Sequence, residues 1–170
     1  MSNYPEYMVA PMRDELVQAG FEQLMTPQAV DAALARPGTT LLLVNSVCGC
    51  AAAGARPGVV AALQQGLSFD HLVTVFAGME KEATAQAREY FEGAMPSSPQ
   101  AAILKDGQLV FLMQRPDFLG HDPIAIAATL KEGAAKLEKD SAWRQIVDDG
   151  LAAEETHSKM TDAMEAHDWL

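Results

Sequence analysis

No apolar run in this chain approaches the roughly 18 uninterrupted residues that a membrane-spanning helix needs. The N-terminus, with Glu6, Arg13, Asp14 and Glu15, does not have the form of a signal peptide. These two absences lead us to expect a cytoplasmic protein with no membrane association. Basic residues are scarce as well, and the formal net charge of −11 removes the cationic surface that nucleic acid binding requires. The histidines, His71, His121, His157 and His167, are scattered without ligand spacing. Two cysteines cannot complete a four-ligand zinc site, so no metal is expected. Cysteine itself is the scarcest of the chemically active residues: Cys48 and Cys50 are the whole supply. In a reducing compartment such a pair is expected to be catalytic or sensing, not a structural staple.

What is present fits one domain, since 170 residues fall within the usual size of a single core. Apolar residues near helical spacing from Pro5 to Leu16 (Tyr7, Met8, Pro11, Met12, Leu16, then Val17) predict a first amphipathic helix, stopped by Gly20. Thr26-Pro27 opens a second, which Pro37-Gly38 ends. Thr39 to Asn45 is apolar on both faces and suits a central strand, while Cys50 to about Gln65 is helix-compatible, with a bend expected at Pro57. His71 to Ala77 reads as a second strand and Glu80 to Phe91 as a helix. After Pro96-Ser97-Ser98-Pro99, the runs Gln100 to Leu104 and Gln108 to Met113 flank an Asp106-Gly107 reversal, a strong hairpin signal. Asp122-Pro123 then starts a helix reaching about Lys139. The remainder, 140–170, is acidic and carries Trp143, Ile146, Val147 and Leu151 at helical spacing. It reads as a helical extension that docks on its own domain or pairs two chains into a homodimer.

The two cysteines stand one residue apart where a strand gives way to a helix. A thiolate is the nucleophile of disulfide exchange, and unpaired backbone donors at a helix start favour the charged form. Cys48 is therefore read as the attacking thiol and Cys50 as the less exposed resolving thiol. Gly49 between them permits the dihedrals that a short, strained disulfide ring would demand. The alternative is a pair of small buried hydrophobes. Spacing and the strand-to-helix position favour redox chemistry. Arg56, two turns further on, could add positive potential to the thiolate or be solvated or salt-bridged.

A strand-helix-strand unit followed by a hairpin and a covering helix resembles the thioredoxin arrangement, an α/β fold read here as a four-stranded mixed sheet flanked by helices. The chain further resembles the bacilliredoxin family. The stretches that carry the likeness are Val44-Asn45-Ser46-Val47-Cys48-Gly49-Cys50-Ala51, Ala55-Arg56-Pro57, Thr74-Val75-Phe76-Ala77-Gly78 with Lys81-Glu82-Ala83-Thr84, Pro96-Ser97-Ser98-Pro99 and Gly120-His121-Asp122. It covers roughly Tyr4 to Leu137, which places the domain at 1–139 and leaves the extension without a counterpart.

The resemblance implies removal of bacillithiol from mixed disulfides on cytosolic client proteins. Cys48 would take the low-molecular-weight thiol onto itself, and Cys50 would assist resolution or leave it to another thiol. Bacillithiol is then a co-substrate, and no resident cofactor is implied. The fold analogy places a cis-proline at Pro99, so Ser98 and Pro99 join Gly49 and Arg56 on the substrate side. A general disulfide reductase or isomerase, and a non-enzymatic redox sensor or binding module, stay open as alternatives.

Overall fold

The computed structural model describes residues 2–139, together with Ile146, Asp149 and Gly150. The acidic extension and the pairing of chains through it otherwise lie outside the described residues. Compactness divides the chain at 135/136, and the first unit, 1–135, contains the whole sheet and both cysteines.

Five strands form one mixed sheet: β1 (Glu22–Gln23), β2 (Thr39–Asn45), β3 (His71–Phe76), β4 (Gln100–Lys105) and β5 (Gln108–Met113), in the spatial order β1-β3-β2-β4-β5. β1, β3 and β2 run parallel, with β4 antiparallel to β2 and β5 antiparallel to β4. The expectation of four strands therefore misses β1. Two residues are too few to show the alternation that marks a strand, and β1 exists because it pairs with Val73 and Thr74 at the edge of β3.

β2 is the centre of the sheet, with every residue after Thr39 buried. That placement explains its unbroken apolar run, since helices cover both faces of a central strand in such folds. The β4–β5 hairpin turns through Asp106 and Gly107, both at positive φ (49° and 77°), the backbone of a tight two-residue reversal. The Asp106 carboxylate also accepts from the Gly38 N–H at 2.7 Å, tying the hairpin tip to the start of β2.

Helix α1 (Glu6–Gln18) buries Val9, Arg13 and Leu16, whereas Tyr7, Met8 and Val17 from the expected apolar stripe are exposed. The rotation follows from Arg13, which lies over the Phe76 ring and donates to Glu80, Glu6 and Gln23. A fully paired guanidinium can face the core, and an apolar-periodicity reading does not count it. Helix α2 (Pro27–Leu34) is capped by Thr26, whose hydroxyl accepts from the Ala29 N–H at 3.1 Å. Helix α4 (Lys81–Glu89) packs beside α2 over the outer part of the sheet.

The segment after the cysteines departs from a simple bent helix. Ala51–Ala55 form a π turn, with the Arg56 N–H reaching back to the Ala51 carbonyl, and α3 (Arg56–Gln64) follows with Pro57 in its first turn. Proline is tolerated there because first-turn donors have no partner within the helix. The short helix α5 (Arg115–Phe118) and a helix over 123–139, α6, then close the domain. Asp122 caps α6 by accepting from the Ala125 N–H at 2.8 Å.

The π turn and α3 meet α6 at two glycines. A Cβ built on Gly58 would come within 2.5 Å of Ile126 Cγ2 and 2.8 Å of its Cβ, and one on Gly54 within 2.9 Å of Ile126 Cδ1. Ile126 and Val59 are fully buried, so neither side can yield cheaply. Gly58→Val should therefore destabilise the domain by about 1–3 kcal/mol through overpacking. The check is a lower urea midpoint with an unchanged slope.

Candidate active site

β2 ends in Asn45, and the chain leaves the sheet through Ser46 and Val47 into the two cysteines. This exit is held by a buried polar knot. The Arg56 guanidinium, only 2% exposed, donates through Nη1 to Asn45 Oδ1 at 3.0 Å and to the Ser46 carbonyl at 2.8 Å. Its Nε donates to Glu15 of α1 at 3.0 Å. Asn45 Oδ1 also accepts from the Ser46 N–H at 2.9 Å, and Asn45 Nδ2 donates to the Met12 carbonyl at 3.1 Å. Arg56 thus spends its donors on the strand exit and α1, not on the dithiol. Its contacts are those of a buttress that fixes where β2 releases the chain.

Both cysteines are free and partly buried, with their sulfurs 2.8 Å apart. The expected order, with Cys50 the less exposed, is not what separates them. Hydrogen bonding does. The Ser46 hydroxyl donates to Cys48 Sγ at 3.1 Å while its oxygen accepts from the Cys48 N–H at 3.4 Å. Across the cleft, the Ser98 carbonyl lies 3.8 Å from Cys48 Sγ, where it can accept from the thiol.

Burial is the largest single influence on Cys48 and pushes its pKa up. Hydrogen bonds from Cys50, Ser46 and the Ala51 backbone, with the Arg115 charge, outweigh burial and leave the Cys48 thiol below its ordinary range. Cys50 moves the other way, raised first by burial and then by its hydrogen bond to Cys48 and the charge there. One thiol is thus prepared to be a thiolate while its neighbour keeps a proton to share with it.

Gly49 is exposed, its φ lies outside the left-handed region, and a Cβ there would meet nothing within 4 Å. With both thiols free, its conformational freedom is not called upon. What the glycine leaves is open space beside the backbone that joins the two cysteines. The Ser98–Pro99 peptide is cis. Arg88 of α4 secures that loop by donating to the Ser97 carbonyl at 2.6 Å and to Gln100 Oε1 at 3.1 Å. The site therefore brings Cys48, Cys50, Gly49 and Ser98-Pro99 together, with Arg56 behind them.

Nothing in the sequence singles out Ser46, Arg88 or Arg115. Ser46 lies in the cysteine stretch itself, but only its two-way bond to Cys48 distinguishes it. Arg88 and Arg115 reach the site through tertiary packing. His121 is exposed in the turn before the Asp122 cap, a loop position. Among the described residues no group of three or more His, Cys, Asp or Glu side chains is arranged to hold a metal ion, and no helix is long and apolar enough to cross a membrane.

This geometry has known counterparts. A family model described as disulphide isomerase matches residues 4–137. A bacilliredoxin of Geobacillus kaustophilus is 55% identical over 130 residues, covering 75% of this chain and 90% of the relative. One from Bacillus cereus is 51% identical over 134 residues, with coverage of 77% and 93%. One from Cytophaga hutchinsonii is 51% identical over 128 residues, with coverage of 75% and 95%. A solved structure described as having a thioredoxin fold aligns with a TM-score of 0.56 at 14% identity, over 69% of this chain and 96% of its own, which bears on the fold. Strand order, dithiol placement and these likenesses agree: the chain has a thioredoxin-like fold with a thiol-disulfide redox role, and it belongs to the bacilliredoxin family.

Proposed function

We propose that this protein removes bacillithiol from mixed disulfides on cytosolic client proteins, with Cys48 as nucleophile. The observation that carries the reading is the asymmetric dithiol: Cys48 Sγ accepts from Ser46 and Cys50 and is the more acidic thiol, at an open strand exit opposite Ser98. The Cys48 thiolate attacks the bacillithiol sulfur. The client's S–S bond breaks, the client leaves as a thiolate that takes up a proton, and bacillithiol stays on Cys48 in a new disulfide. No resident cofactor takes part.

Resolution needs a second thiol. Cys50 is raised by burial first, and then by its hydrogen bond to Cys48 and the charge there. The last two influences disappear once Cys48 is in a disulfide, so Cys50 becomes easier to ionise at the stage where it is needed. Its thiolate then attacks Cys48 Sγ, displaces bacillithiol and leaves a Cys48–Cys50 disulfide, which two electrons from an external thiol reductant reset. Alternatively, an external thiol attacks the mixed disulfide directly and Cys50 is spared. We take 1–139 as the catalytic domain and 140–170 as an appended segment.

A second reading, a general disulfide reductase or isomerase, is favoured by the description of the matching family model. Equal turnover of scrambled disulfides and of bacillithiol mixed disulfides would select it.

With a bacillithiolated client, Cys48→Ser should reduce release to background, and release by that variant would remove Cys48 from the nucleophile's role. Cys50→Ser keeps a donor beside Cys48 and should slow the first step by no more than about fivefold, the worth of one ordinary hydrogen bond. Its mixed disulfide should accumulate and be visible by mass spectrometry.

The pH dependence has a definite sign. Because the Cys48 pKa is lowered, the first-step rate should fall with decreasing pH at a midpoint below the ordinary cysteine range. Ser46→Ala removes a donor to the thiolate and should move that fall to higher pH. Thiolate ultraviolet absorbance measured against pH, alongside the rate, checks both.

A further inference from the structure

Arg115 stands at the rim of the dithiol, brought there by two independent tethers. Its backbone N–H donates to Ser97 Oγ at 3.4 Å, one residue before the Ser98 carbonyl that faces Cys48 Sγ. On its other side, α5 packs against the π turn that follows Cys50. Phe118 is buried there, and its carbonyl would be 3.5 Å from a Cβ on Gly54. The Arg115 side chain is exposed and, among the described residues, forms no ion pair. By contrast Arg13, Arg36 and Arg56 are bound to Glu6 and Glu80, Glu22, and Glu15 respectively. Its charge reaches both thiols.

From this placement we infer that Arg115 recognises a carboxylate of the low-molecular-weight thiol that Cys48 takes up, an inference that rests on the function proposed above. A guanidinium is planar and always charged, and it matches a carboxylate with paired donors. The thiol half of the disulfide is the part that stays on Cys48 after the client leaves, so it is the half that Arg115 can hold between the two exchange steps. A chain with a formal net charge of −11 repels an anionic thiol unless a cation at the site offsets that field. Arg115 is that cation, acting on binding and selectivity while Cys48 performs the exchange.

The test uses one client peptide carried in two mixed disulfides, one with bacillithiol, which bears carboxylates, and one with neutral 2-mercaptoethanol. The full chain is compared as wild type, Arg115→Ala and Arg115→Lys, reading the ratio of kcat/KM for the two substrates within each preparation. That ratio cancels any change in folded fraction or in thiolate content. Wild type should favour the carboxylate-bearing substrate, Arg115→Ala should lower the ratio about fivefold to tenfold, and Arg115→Lys should keep part of it. An unchanged ratio in Arg115→Ala, with both substrates slowed alike or neither slowed, would overturn the assignment and leave the exchange function standing. A wild type that releases neither thiol would overturn the function and the assignment with it.

Discussion

The buried guanidinium of Arg56 is the constraint on which this site depends. A charge removed from water is tolerated only when its donors are met, and Arg56 meets them with Glu15 of the first helix, the Asn45 side chain and the Ser46 carbonyl. Those partners come from two parts of the chain and Arg56 itself from a third, so satisfying one group fixes α1 against the end of β2 and both against α3. Removing one partner would leave a buried polar group unmet, which makes the arrangement close to all-or-none. Ser46 is thereby held at both ends. Its carbonyl is bound to Arg56, and its hydroxyl is aimed at Cys48.

This buttress converts the fold into chemistry. The central strand is rigid because it is buried and paired on both sides, and it delivers the chain to one fixed point. Beyond it the backbone is free to form a π turn, whose looser winding belongs to the short stretch between the cysteines and α3. The loop before β4 is fixed separately by Arg88, which positions the Ser98 carbonyl on the far side of Cys48. Three elements distant in sequence therefore set the environment of one sulfur atom, and two arginines do most of the fastening.

Much of the fold was legible in the sequence because it rests on local patterns. Asp106-Gly107 announces its hairpin through the positive φ that both residues adopt, and Thr26-Pro27 and Asp122-Pro123 mark helix starts through capping chemistry. Cys48 and Cys50 were legible through type and spacing. Elsewhere, what decides the structure is pairing across the chain. β1 is too short for any periodic signal, and the orientation of α1 turns on Arg13, whose burial depends on Glu80 far along the sequence. Arg56 is conspicuous as a residue near the dithiol, yet its donors point away from it toward the strand exit. Ser46, Arg88 and Arg115 are ordinary polar residues until the fold gives them their partners: Cys48 for the Ser46 hydroxyl, and the 97–100 loop that faces Cys48 for the two arginines.

Under the function proposed above, the open space beside Gly49 bears on which proteins can be clients. Gly49, exposed between the two cysteines, carries no side chain, and apart from those cysteines nothing lies within 4 Å of where its Cβ would be, so an incoming protein finds little at that point against which its shape is tested. Discrimination at the dithiol then falls to features that any disulfide of the right type would share, and local sequence around a client's cysteine counts for little. Such a surface suits the broad clientele that the proposed function calls for.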